Sequence, residues 1–299
     1  EAVTAGDVAW ETRTTLAAAP GQRPVVKGSD VLAAKWERLP GDRPIYSCAR
    51  DAYTQVVFAD ERPLLQVGLQ GNPGRMKRTD FRWAKQWRGK GLADMAAGSF
   101  FYDGDAKRLY VWLADGGDPA KRVIEVGARP TAVILRGTWT LSGFEVRHCM
   151  DGLWPNEQAV ALAGKRCVIE KCRITHNEFL GLIVSGEDCI IRGNEIAYNG
   201  LMGFSSNIGH RMLVEENEFH HNATRGDVVC LTAGNKWVCW RDSKFLRNWF
   251  HDEEWSALWL DISDANILIA ENRFDRCNVG VYFEISRWAV IATNIFRDC

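Results

Sequence analysis

The 299-residue sequence has no excess of either charge, with 37 Lys and Arg against 38 Asp and Glu. A near-neutral chain carries no electrostatic footprint for nucleic acid or for an anionic membrane surface. No apolar run approaches the ~18 residues that a membrane-spanning helix needs. There is no C-x-x-C pair, and the nine cysteines and six histidines match no zinc-site spacing. No metal or other cofactor is therefore expected. The L-x-x-L-x-L framework of leucine-rich repeats is also missing. The chain begins at Glu1 without an initiator Met, and the expectation is a secreted or periplasmic protein whose signal peptide has been removed.

What the chain does have is hydrophobic residues, 46% of the total, and 13 Trp. From about residue 165 a repeat organises them. It reads CVIEKCRITHN (167–177), CIIRGNEIAYN (189–199), MLVEENEFHHN (212–222), ILIAENRFDRC (267–277) and AVIATNIFRDC (289–299), with VCWRDSKFLRN (238–248) fitting less closely. One column holds Cys172, Asn194, Asn217, Ser243, Asn272 and Asn294. A second holds Cys149, Asn177, Asn199, Asn222, Asn248, Cys277 and Cys299. Short alternating apolar segments repeating every ~22 residues mark a parallel β-helix, in which each repeat is one coil and equivalent residues stack ~4.8 Å apart. An inward Asn at a bend satisfies backbone groups of its own and the neighbouring coil. Gly181, Gly203, Gly226 and Gly280 follow the second column, and corners of positive φ are expected there. The column cysteines read as stacked buried thiols; spacing alone also permits Cys167–Cys189 or Cys277–Cys299 bridges.

The fold expected is thus all-β, a parallel β-helix with a small β-rich insertion near the N-terminus. Residues 1–36 hold the first coil or coils, 37–121 the insertion, and 122–299 the main solenoid. Within the insertion, TQVVFADERPLLQVGL (54–69) reads as a hairpin turning near Asp60, and GSFFYDGDAKRLYVWL (98–113) as two strands around a Gly-Asp turn.

Two hexapeptides carry the chemistry: LWLDIS (258–263) and VYFEIS (281–286). Strand alternation sends Leu258, Leu260 and Ile262 inward, and Trp259, Asp261 and Ser263 outward. One coil later Val281, Phe283 and Ile285 point in, and Tyr282, Glu284 and Ser286 out. Asp261 and Glu284 then stack on the outer face of adjacent coils. Two such carboxyls repel, so that one keeps its proton and the pair offers an acid and a base. Their spacing falls near the ~5–5.5 Å of retaining glycosidases. Trp259, Tyr282 and Trp255 would form sugar platforms. Asn207 and Thr232 extend the outward row, and Lys236, His221, His251 and Arg287 are further candidate substrate contacts. Asp261, Asp264 and Glu284 are an alternative calcium-ligating set, although no loop has a calcium-binding pattern.

These segments, with QVVFADERPL, GSFFYDGDAKRLYVWL and AGNKW, resemble secreted bacterial right-handed parallel β-helix proteins of the pectate-lyase-like superfamily, in a subgroup related to family 141 glycoside hydrolases. The resemblance implies a right-handed coil and work on a plant or microbial polysaccharide. The leading reading is a glycoside hydrolase using Asp261 and Glu284 as catalytic residues on a polysaccharide or oligosaccharide partner. The alternatives are a polysaccharide lyase acting on a uronic-acid polymer, with Lys236 or His221 as base, and a non-catalytic glycan-binding solenoid.

Overall fold

The computed structural model describes residues 3–5, 12–68, 89–150, 158–224 and 233–299. Gly226, Thr232 and most of the basic stretch 75–91 lie outside the described residues. The chain winds as a parallel β-helix with three faces. The first face stacks Val133–Arg136, Gln158–Lys165, Leu180–Glu187, Met202–Ser206, Lys236–Val238, Ser256–Asp261 and Val279–Glu284 in parallel. The second runs from Thr14–Ala17 through Trp139–Ser142 to Arg287–Ala292. The third runs from Val25–Lys27 through Glu145–Arg147 to Ile295–Arg297.

Alternation fills the interior. On the second face Ile169, Ile191, Val214, Phe245 and Ile269 stack in register, all buried. On the third, Phe219, Phe250, Phe274 and Phe296 form a pile of rings with centroids 4.8, 5.0 and 4.7 Å apart. Each such pair adds ~0.5–1.5 kcal/mol beyond its buried area.

The corner after the third face is made by His148, His176, Tyr198, His221, Asp252, Arg276 and Asp298, all with φ between 51° and 62°. A side chain in this left-handed region costs ~1–2 kcal/mol, and the next residue of each coil offsets that cost. There the Asn177, Asn199 and Asn222 amides bond in series, each Oδ1 accepting from the backbone N–H of the residue one coil earlier. Asn222 donates in turn to Glu253. The second ladder is Cys172, Asn194, Asn217, Asn248, Asn272 and Asn294.

Two column assignments are thereby corrected. Asn248, not Ser243, follows Asn217, and Glu253, not Asn248, follows Asn222. Ser243 instead accepts from Met212 N–H. The coil between Asn217 and Asn248 is 31 residues long, and this added length slid the sequence alignment by one column.

The expected glycine corners are corrected too. Gly181, Gly203 and Gly280 are in strands and have no positive φ. A Cβ on Gly181 or Gly203 would lie 2.7 Å from Asn199 or Asn222 Nδ2. These glycines make room for the ladder; the corners are turned by other residues. The eight described cysteines are free thiols, six of them buried.

The insertion is two small sheets. One orders Glu37–Arg38, Tyr46–Ala49, Arg108–Trp112, Ser99–Asp103 and Leu65–Gln66; the other Ser29–Val31, Ile124–Gly127, Val57–Ala59 and Arg62–Pro63. Both expected hairpins are present. Ser29–Val31 and Ile124–Gly127 pair within the insertion, although the sequence reading placed both with the coils. Among the described residues no helix is long and apolar enough to cross a membrane.

Candidate active site

Strands Ser256–Asp261 and Val279–Glu284 pair so that Trp259 faces Tyr282 and Asp261 faces Glu284. Leu258 and Leu260 are buried inside, and Val281 and Phe283 pack on the same core. Alternation ends one residue early, however. Ile262 and Ile285 have φ of 56° and 48° and are exposed, so the expectation that both point inward is corrected. The chain turns at each, which leaves the two carboxyls at the strand ends.

Asp261 is buried outward-facing chemistry, 5% exposed. Its Oδ2 lies 2.8 Å from Lys236 Nζ, and that ammonium sits 3.4 Å from the centre of the Trp259 ring. Lys236 comes from the preceding coil, where it is paired with Trp259. The acid pair is therefore more than two repelling carboxyls: a cation from a third coil abuts one of them. A buried ion pair of this kind is held by geometry and by the ring beneath it, and removing either partner leaves a charge in a poor solvent.

Glu284 is only partly buried. Tyr282 beside it is 41% exposed, and its ring is 5.3 Å from that of Trp259. Partial burial, then the Glu284 and Asp261 carboxylates, raises the Tyr282 hydroxyl above its ordinary range. Trp259 backs onto an outward apolar cluster of Phe179, Leu180, Leu201, Met202 and Ala233.

The other candidates fall at varying removes. Asn207 is exposed, one residue past Ser206, which pairs with Trp237; the residue facing Asp261 from the coil before is Val238, so Val238 takes the place in the row between Asn207 and Asp261 where Thr232 was expected. Trp255 is half-buried at the corner that leads into Ser256–Asp261. Arg287 opens the second-face strand beyond Glu284 and lies 4.6 Å from the Trp288 ring. His221 and His251 belong to the third face and its corner, where they cluster with His220. The structure therefore separates them from the carboxyl pair's face.

Two features escaped the sequence. Asp264, weighed only as a calcium ligand, is fully buried and accepts from the Trp240 N–H. Burial first, and the nearby Asp261 charge, push it up to about 7. Its separation of three residues from Asp261 across the turn was the available signal. The second is a cavity of about 410 Å³ between the insertion and the coil corners, lined by Phe58, Leu64, Gln66, His176, Glu178 and Tyr198 among others. Gly200 also lines it, and the next two residues, Leu201 and Met202, pack with Trp259. Only tertiary pairing of the insertion creates this space.

Residues 132–299 match the family described as right handed beta helix region. No curated protein matches the sequence. Two solved structures are similar. One is a complex of XylC with xylose, 15% identical with a TM-score of 0.67, over 95% of this chain and 57% of that one. The other is a glycoside hydrolase, 10% identical with a TM-score of 0.51, over 93% of this chain and 83% of that one. The chain thus spans little more than half the length of the XylC chain. At these identities the likeness is one of fold.

Proposed function

The chain belongs to the right-handed beta helix family, and on that frame we propose that it hydrolyses glycosidic bonds with Asp261 and Glu284. The observation that carries the reading is the register that sets these two carboxyls directly opposite each other on neighbouring outward-facing strand ends. Neighbouring strands lie ~4.8 Å apart, close to the ~5–5.5 Å between the carboxyls of retaining glycosidases.

The environments divide the roles. Asp261 is buried against Lys236, which suits a fixed carboxylate nucleophile. Glu284 is more open, beside the exposed Tyr282, which suits a group that must exchange protons with leaving group and water. Asp261 attacks the anomeric carbon while Glu284 gives its proton to the departing glycosidic oxygen. Glu284 then takes a proton from water, which attacks the same carbon and releases Asp261. Tyr282 presents aromatic surface to the apolar face of a sugar ring, whereas Trp259, buried at 8% exposure with the Lys236 ammonium on its ring, supports the site instead of forming the expected platform. The likeness of LWLDIS and YFEIS to family 141 glycoside hydrolases, and neighbours named for xylose and for glycoside hydrolysis, support a carbohydrate substrate and put xylosides first in a panel. A polysaccharide substrate is met outside the cytoplasm, so a secreted or periplasmic location is part of this proposal.

The test is a panel of xylans and other polysaccharides scored for reducing ends and, in parallel, for the ultraviolet absorbance of an unsaturated product. Glu284→Gln should cost about 100- to 10 000-fold in rate. Unsaturated product would replace this reading with a lyase. Glycan binding without turnover, unchanged in Glu284→Gln, would replace it with an adhesion solenoid.

A further inference from the structure

Three imidazoles meet on the third face, away from the carboxyl pair. His220 and His251 face each other in register on Glu218–His220 and Trp249–His251, and their rings stack 4.7 Å apart with 10° between planes. His221 is the left-handed corner residue, φ 51°, which brings its Nδ1 within 2.9 Å of His220 Nδ1. One ring nitrogen from each of the three lies within 4.8 Å of the other two.

Carboxylates back the stacked pair in a repeated relation. His251 Nε2 is 3.0 Å from Glu218 Oε1 on the coil before, and His220 Nε2 is 3.7 Å from Glu195 Oε1, one coil earlier again. A carboxylate at Nε2 keeps the proton there: for His220 this leaves the Nδ1 lone pair facing His221, whereas His251 Nδ1 also faces a carboxylate and takes up an ion by giving up the proton it shares with Asp252. A carboxylate behind Nε2 is the outer-shell arrangement of a metal-bound histidine. Asp252 adds an oxygen 2.7 Å from His251 Nδ1, and Arg276 grips both Asp252 oxygens at 2.6 Å, holding it at this corner.

We propose that His220, His221 and His251 bind a divalent transition-metal ion of the zinc class through their inward ring nitrogens, with Asp252 or water in the fourth position. Imidazole ligands suit zinc, copper and nickel. Zn–N distances of ~2.0–2.1 Å in a tetrahedron set ligand nitrogens ~3.3 Å apart. Here one spacing is 2.9 Å and all lie within 4.8 Å, so modest side-chain rotations gather the three nitrogens. The ion would tie two successive coils together at the place where the repeat lengthens to 31 residues and the ladder passes from Asn222 to Glu253. It would also give His221 and His251 a ligand other than sugar. Adjacent histidines followed by a third 30 residues later match no sequence spacing for zinc, because the third ligand arrives by coil stacking.

The test strips the full chain with a chelator and titrates it with Co²⁺, following visible absorption, then displaces the signal with Zn²⁺. The expected result is one ion per chain, with bands of tetrahedral nitrogen and oxygen ligation and no thiolate charge transfer. Glu218→Gln should weaken binding about 10- to 100-fold, and His251→Ala should abolish it. His221→Gln, at a partly exposed corner, removes a ligand without touching the core, so folding and binding can be separated. Absence of binding by the wild-type chain would overturn the proposal. So would thiolate-coloured binding that survives His251→Ala and His221→Gln, since the ion would then sit on cysteine.

Discussion

Raising the pH from 7 to 8 should loosen the fold through one carboxyl. Glu253 is completely enclosed, accepting Asn222 N–H at 3.0 Å and Asn222 Nδ2 at 2.9 Å. Burial outweighs these bonds and pushes the group from 4.5 up to about 8. Below 4.5 folded and unfolded chains both hold the proton. Between 4.5 and about 8 only the folded chain does, so stability falls as the pH rises, and the loss is complete above 8. The whole interval corresponds to about 5 kcal/mol at most, of which about 1 kcal/mol falls between pH 7 and 8. Other groups act elsewhere. His148 and His176, lowered by burial and by neighbouring cations to about 2 and about 4, oppose the trend only below pH ~6.5, where the unfolded chain takes up their protons. Asp264, raised to about 7, has given most of its share by then. The buried thiols of Cys149 and Cys277, raised to about 12, matter only where unfolded thiols ionise, near ~8.5. Melting at constant ionic strength should show the wild-type midpoint dropping by ~2 °C from pH 7 to 8. Glu253→Gln should be less stable at pH 7, by ~1–3 kcal/mol, because its amide N–H₂ faces an Asn222 donor. It should also lose the Glu253 share of the slope, about 1 kcal/mol, keeping only the smaller remainder from Asp264 and the buried thiols. A wild-type midpoint flat across this interval, or a slope kept in full by Glu253→Gln, would refute the reasoning.

Asn217→Ala removes an amide that accepts from Asn194 N and Nδ2 and donates to Ile191 O and Asn248 Oδ1; denaturant titration should show a loss of about 3 kcal/mol. Lys236→Met leaves Asp261 buried without its ammonium, and should cost ~3–5 kcal/mol of stability together with most glycosidase turnover, read from melts and reducing-end release. Gly203→Ala drives a methyl to 2.7 Å from Asn222 Nδ2, and a loss of ~1–3 kcal/mol is expected in the same titration.

The β-helix and the Asp261–Glu284 pairing were legible because a parallel stack with nearly constant coil length writes its register into the sequence. Where coil length changed, legibility failed. The 31-residue coil moved Asn248 into the other ladder, and identical residue types in both ladders hid the slip. Ile262 and Ile285 misled because period-two alternation assumes a continuing strand, whereas both lie in the left-handed region. The Lys236–Asp261 contact was out of reach for another reason: register pairs Lys236 with Trp259, and only the reach of the lysine side chain along the strand brings its Nζ to Asp261. His220, His221 and His251 were visible singly, but their meeting depends on the same long coil.

The ladders and ring piles also make the molecule mechanically directional. Every amide of the ladder from Cys172 to Asn294 bonds along the axis, coil to coil. Tension applied at the chain's end would therefore break one set of these links at a time, as in peeling tape, instead of loading all coils at once. Each 22-residue coil set free would lengthen the chain by about 73–79 Å, and the 31-residue coil by about 102–112 Å, at ~3.3–3.6 Å per residue. A force trace would read out the coil lengths in order, with the long step marking where Asn217 hands over to Asn248.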